Sequence, residues 1–159
     1  VIDIRSPKAV RPWEHVLEPL FGYMLTAAKY MAGKNLEAIR IGEEILFALE
    51  RSHSRLSDYK VLQINLAHNL SQILQDEGRY QEALLYAKKA ENLSICGTEQ
   101  FLLPEIEFSI AQILNNMKKR QESRMRMEAL IPYMRLIGKK EMADLVQEYL
   151  EKNLTNDVN

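Results

Sequence analysis

Apolar and polar positions recur along most of this chain with the 3.6-residue period of amphipathic helices. The pattern predicts seven helices, at 13–32, 35–52, 57–77, 80–94, 100–117, 120–137 and 139–153. Gly33 and Gly78 fall at breaks between them, where glycine enters the left-handed conformation without steric cost. Ser57 and Asp58 are candidate caps for the third helix. Pro104 is expected in an early turn of the fifth. Pro132 is expected to kink or split the sixth, because it removes a backbone donor and crowds the preceding turn. Residues 1–12, with Pro7 and Pro12, show no helical period. The expected organisation is an extended lead-in at 1–12, a helical domain at 13–153 and a disordered tail at 154–159.

Two of the helices carry the same polar stripe. In the third it comprises Asn65, His68, Asn69, Gln72, Gln75 and Asp76, and in the fifth Glu105, Phe108, Ser109, Gln112, Asn115 and Asn116. Beside it run apolar positions, Leu66, Ala67, Leu70, Ile73 and Leu74 in one helix and Ile106, Ile110, Ala111, Ile113 and Leu114 in the other. Asn and Gln each offer a donor and an acceptor without charge, which suits them to hold the backbone of an extended peptide. A solvated helix face is the plain alternative. Such faces more often carry Glu, Lys and Arg, yet neither stripe window contains a Lys or Arg.

An internal repeat organises the helices into hairpins. Gly33-Lys34-Asn35-Leu36-Glu37-Ala38-Ile39 aligns with Gly78-Arg79-Tyr80-Gln81-Glu82-Ala83-Leu84 and, more weakly, with Lys118-Lys119-Arg120-Gln121-Glu122-Ser123-Arg124. An apolar–small pair stands upstream of each, at Leu25-Thr26, Leu70-Ser71 and Ile110-Ala111. Leu70, Ser71, Leu74, Gly78, Tyr80, Ala83, Ala87 and Ala90 resemble the packing residues of the tetratricopeptide repeat. The resemblance covers about residues 14–137. It departs at Lys29, at Asn35, at the missing third glycine and at Ser123. It implies an all-α, right-handed stack of antiparallel helix hairpins, with a C-terminal capping helix bearing Met142, Leu145, Val146, Tyr149 and Leu150. That apolar strip either offers a homodimer surface or packs onto the sixth helix.

Composition narrows the function classes. The 159 residues carry a formal net charge of −1, which removes the driving force for nucleic-acid binding by the domain as a whole. No apolar run is long enough for a membrane span. The single Cys96 forms no internal disulfide, in keeping with a cytoplasmic setting, and is expected in a core or loop position. His15, His53 and His68 are scattered without metal-ligand spacing, phosphate-binding glycine loops are absent, and the carboxylates fall in helix-surface settings such as Glu43-Glu44 and Glu148-Glu151. Neither an enzyme nor a cofactor is expected. The basic run Lys118, Lys119, Arg120, Arg124 and Arg126 is either a solvated turn or an anchor for a ligand carboxylate.

In the family, the first helix of each repeat lines a concave groove. The resemblance therefore places Leu20, Tyr23, Met24, Ala27, Tyr30 and Met31 at an apolar end, and the two polar stripes beyond it. The candidate groove residues are Tyr23, Tyr30, Asn65, His68, Asn69, Gln72, Gln112, Asn115 and Asn116. Tyr23 and Tyr30 also suit plain packing between helices. The lysine-containing carboxylate clamp of chaperone-binding members is not matched at these positions. Long repeat spacings and an Asn-rich groove look more like bacterial transcription regulators that join a helix-turn-helix domain to such an array and sense signalling peptides. The implied partner is a short peptide or protein segment. A constitutive protein–protein scaffold is the alternative. The opening Val-Ile-Asp-Ile-Arg-Ser-Pro, without initiator Met, is expected to follow an upstream segment.

Overall fold

The computed structural model describes residues 14–51, 59–96 and 100–154. Seven α-helices and no strand occur among them: α1 Glu14–Met31, α2 Asn35–Arg51, α3 Lys60–Asp76, α4 Tyr80–Ile95, α5 Leu103–Asn116, α6 Arg120–Leu136 and α7 Lys140–Leu154, with a single 3-10 turn at Gln100–Leu102 before α5. The fold is all-α and built of helix hairpins. Helices α1 and α2 form one compact unit, and α3 to α7 a second. The lead-in at 1–12 and the candidate caps Ser57 and Asp58 lie outside the described residues, as does the tail after Leu154. Leu154 itself does not begin that tail: it is the last residue of α7 and 3% exposed.

One turn design joins the hairpins. Gly33, Gly78 and Gly138 adopt φ of +70°, +72° and +84°, and Lys118 takes the same role at +64°. In each case the next residue's N–H closes the helix end, from Lys34, Arg79, Lys119 and Lys139 to the carbonyls of Lys29, Leu74, Leu114 and Met134, every time at 2.9 Å. Five residues after the left-handed position stand Ala38, Ala83, Ser123 and Ala143, all fully buried. The fourth copy, Gly138-Lys139-Lys140-Glu141-Met142-Ala143, shows that α7 enters through the same motif as the even-numbered helices. It lies only 20 residues after Lys118, half a repeat, which hides it from a search at the spacing of whole repeats.

Small residues set the spacing within the second unit. The buried side of α4 is Ala83, Ala87, Ala90 and Ser94, so α3 and α5 both pack closely against it. They bring Leu66, Leu70, Ile73 and Leu74 from α3, and Ile106, Ile110, Ile113 and Leu114 from α5. Burying each such side chain contributes about 1.5–3 kcal/mol. Ser123 of α6, where the repeat has alanine elsewhere, donates from Oγ to the Ala111 carbonyl of α5 at 2.6 Å, so its buried hydroxyl is satisfied. Pro132 does not split α6, which runs unbroken through it. The proline is exposed, so the carbonyl deprived of its donor faces water at little cost. On α7, Val146 and Leu150 are buried with Met127, Leu130 and Met134 of α6, and Met142 and Tyr149 pack against that cluster. The strip is therefore largely consumed by the fold, and Leu145 alone of its five residues stays exposed.

In the first unit, Gly22 lets α1 approach α2. A Cβ there would lie 2.3 Å from Ile45 Cδ1. Lys29, at a position where the repeat pattern expects an apolar side chain, pairs with Glu37 across the turn at 2.6 Å.

Candidate functional site

The polar stripes of α3 and α5 are joined by a side-chain hydrogen bond. His68 Nε2 lies 2.8 Å from Ser109 Oγ, a hydrogen bond whose direction follows the imidazole tautomer. Ser109 is 5% exposed, so this pair forms a floor. Burial holds the His68 imidazole below its ordinary pKa of 6.5, against the opposing pull of the nearby Glu105 carboxylate. One turn further along each helix stand Gln72 and Gln112. Asn65, Asn69, Gln112, Asn115 and Asn116 are half-buried and Gln72 is exposed.

Helix α7 extends this face. Asn115 Nδ2 donates to the Tyr149 hydroxyl at 3.2 Å, and the Phe108 and Tyr149 rings meet edge to face with centroids 5.6 Å apart. Lys139, in the turn before α7, donates from Nζ to Glu105 Oε1 at 2.6 Å and to the Phe101 carbonyl at 2.9 Å. A lysine thus reaches the stripe after all. It comes from a turn distant in sequence, which a scan of the two stripe windows cannot see. Glu105 Oε2 is buried without a hydrogen-bond partner.

Tyr23 and Tyr30 belong to the first unit, on α1, where Tyr23 is half-buried and Tyr30 is 37% exposed. Leu20, Met24 and Met31 are exposed on the same helix.

Compared with protein-family models, curated proteins and solved structures, the chain finds no match. Among the described residues no group of three His, Cys, Asp or Glu is placed to hold a metal ion, and no helix is long and apolar enough to cross a membrane.

A charged cluster that the sequence does not announce ties α4, α5 and α6 together. Arg126 Nη1 bonds Glu91 at 3.0 Å and also bonds Glu107, with all three side chains less than a third exposed. Burial and a hydrogen bond donated to Glu91 raise the Glu107 pKa above the ordinary 4.5. Burial also acts on Glu91, but the bonds from Glu107 and Arg126 outweigh it and lower its pKa. The expectation that carboxylates sit only in helix-surface settings fails here. Glu91 and Glu107 are 16 residues apart and no local spacing links them.

The basic run likewise dissolves into separate local roles. Arg126 serves that cluster, Arg124 donates to the Leu154 carbonyl at the end of α7, and Lys119 pairs with Glu122 at 3.7 Å. Cys96 is exposed at the end of α4, and its carbonyl accepts a 3.1 Å bond from Lys60 Nζ.

Proposed function

We propose that the chain is a peptide- or protein-binding helical-hairpin domain that holds an extended segment along the α3–α5 face. The observation that carries this reading is the His68–Ser109 bond, which links the carboxamide-bearing faces of α3 and α5. An extended peptide laid there meets donors and acceptors from both rows, Asn65, Asn69 and Gln72 on one side and Gln112, Asn115 and Asn116 on the other. His68, Ser109 and Tyr149 are positioning groups within that face. The half-buried state of five of the six amides supports the reading, because such groups bind a partner without first shedding a full hydration shell.

The resemblance to the tetratricopeptide repeat supports a more specific place for the domain, as the regulatory or sensor part of a larger bacterial transcription regulator. The domain itself performs no catalysis in this proposal and acts in the cytoplasm. The test is calorimetry of the chain against a library of short peptides. Saturable binding at micromolar affinity or better is expected, and the absence of any binder would overturn it.

A further inference from the structure

The face of α6 turned away from the core is apolar in its own right. The buried residues of this helix are Ser123, Met127, Leu130, Ile131 and Met134. On the opposite side, Met125, Ala129, Pro132 and Leu136 are all exposed, Met125 at 63% and Leu136 at 85%. Their spacing of four, three and four residues is that of a helix-pairing seam rather than of a solvated face. A solvated surface gains nothing from a continuous apolar row, and such rows mark association sites.

The charges beside the seam point to the occupant. Exposed Glu128 and Arg135 flank it on the same edge, seven residues apart. When two copies of one helix pack antiparallel about a two-fold axis, like edges face each other. With the axis between Leu130 and Ile131, Met125 lies opposite Leu136 of a second copy and Ala129 opposite Pro132, and Glu128 comes within about one helical half-turn of Arg135, in reach of its long side chain. The same register therefore satisfies the apolar row and both charges, twice over. Arg135 stands 3.6 Å from Asp144, with both side chains more than half exposed, a pair too loose to hold it. Pro132 adds a further fit, since it leaves the Glu128 carbonyl without its intrahelical donor, beside the place of the second copy's arginine.

We infer that α6 is an isologous interface on which a second copy of this chain packs antiparallel, with Met125, Ala129, Pro132 and Leu136 as the seam and Glu128–Arg135 pairs at its edge. The surface lies on a different helix from the proposed peptide face and stands without it.

Sedimentation velocity of the full chain across micromolar concentrations tests the inference. A concentration-dependent dimer is expected. Leu136→Glu should abolish it while leaving helix content unchanged, since that side chain is exposed. Glu128→Arg and Arg135→Glu should each weaken the dimer by roughly ten-fold, and the double reversal should restore it. A monomer at every concentration overturns the inference. So does a dimer that Leu136→Glu leaves intact, or a double reversal that fails to recover association.

Discussion

Glu91 of α4 and Glu107 of α5 share one guanidinium nitrogen, that of Arg126 on α6. Two half-buried carboxylates on one cation cannot both ionise cheaply, and Glu107 is the one that keeps its proton longer. The stability consequence has two signs. Glu91, lowered on folding, contributes stability above its unfolded value, and this is lost as pH falls through its folded value. Glu107, raised on folding, favours the folded state below its unfolded value of about 4.5, and this is lost as pH rises through its folded value. Glu107→Gln stays neutral at every pH and so escapes the second loss. Its stability relative to wild type should therefore be greater near pH 7 than near pH 4. Urea midpoints measured across that range decide, and a difference that does not vary with pH would sink the assignment.

His68 gives a second pH signature of known sign. Its imidazole is held neutral by burial, so stability should fall as pH drops through the unfolded value of 6.5 towards its lower folded value. Glu105 works against that depression. Glu105→Gln should then lower the His68 pKa further. An NMR titration of the ring in both proteins checks this, and an upward movement in the variant would mean that the two groups do not face each other.

Helix positions and hairpin turns were legible because each depends on neighbours in sequence. Gly33, Gly78 and the small residues five places later mark the turns directly, and five of the seven predicted helices begin within one residue of the observed position; the fifth starts at Leu103 rather than 100, after the 3-10 turn at Gln100–Leu102. The third starts at Lys60 rather than 57, with Tyr59 at the cap position and no side-chain capping bond. The polar stripes were legible for the same reason. What stayed hidden were pairings across the fold, Lys139 with Glu105, Asn115 with Tyr149, and Arg126 with both glutamates. These depend on how helices meet, which helical period does not encode. The exposed seam on α6 was missed because an apolar residue in sequence looks alike whether it faces the core or the solvent.

Lys118 is the single non-glycine among the four left-handed turn residues, with φ of +64°. A side chain with a Cβ is strained there, by about 1 kcal/mol. Lys118→Gly should stabilise the protein by about 0.5–1 kcal/mol and raise its thermal midpoint. A lower midpoint would show that the lysine makes a compensating contact.

Ala83 tests the packing from the opposite direction. It is fully buried where α4 leaves its turn, and the small side of α4 lets α3 and α5 close on it. Ala83→Leu should overpack this contact and cost about 1–3 kcal/mol. Ser123→Ala, at the equivalent position in α6, should cost only about 0.5–1.5 kcal/mol, because the change removes the donor and leaves no buried hydroxyl unpaired. Thermal melts of the two variants should rank in that order, and the reverse order would contradict the assigned packing.

The carboxamide rows provide the functional prediction. If Asn69 and Gln112 hold a peptide backbone, truncating either leaves a ligand group unpaired, at a cost of about 1–3 kcal/mol. Asn69→Ala and Gln112→Ala should then weaken peptide binding by roughly five- to a hundred-fold. Both residues are half-buried and outside the apolar core, so melting should change little. Ser109→Ala separates floor from ligand contact. It removes the His68 bond, so it should disturb the α3–α5 seam and lower stability along with affinity. Calorimetry against one peptide, run beside a melt for each variant, distinguishes these outcomes. Unaltered affinity in both amide variants would return the stripe to a solvated face, and unfolding of either would place it inside the core.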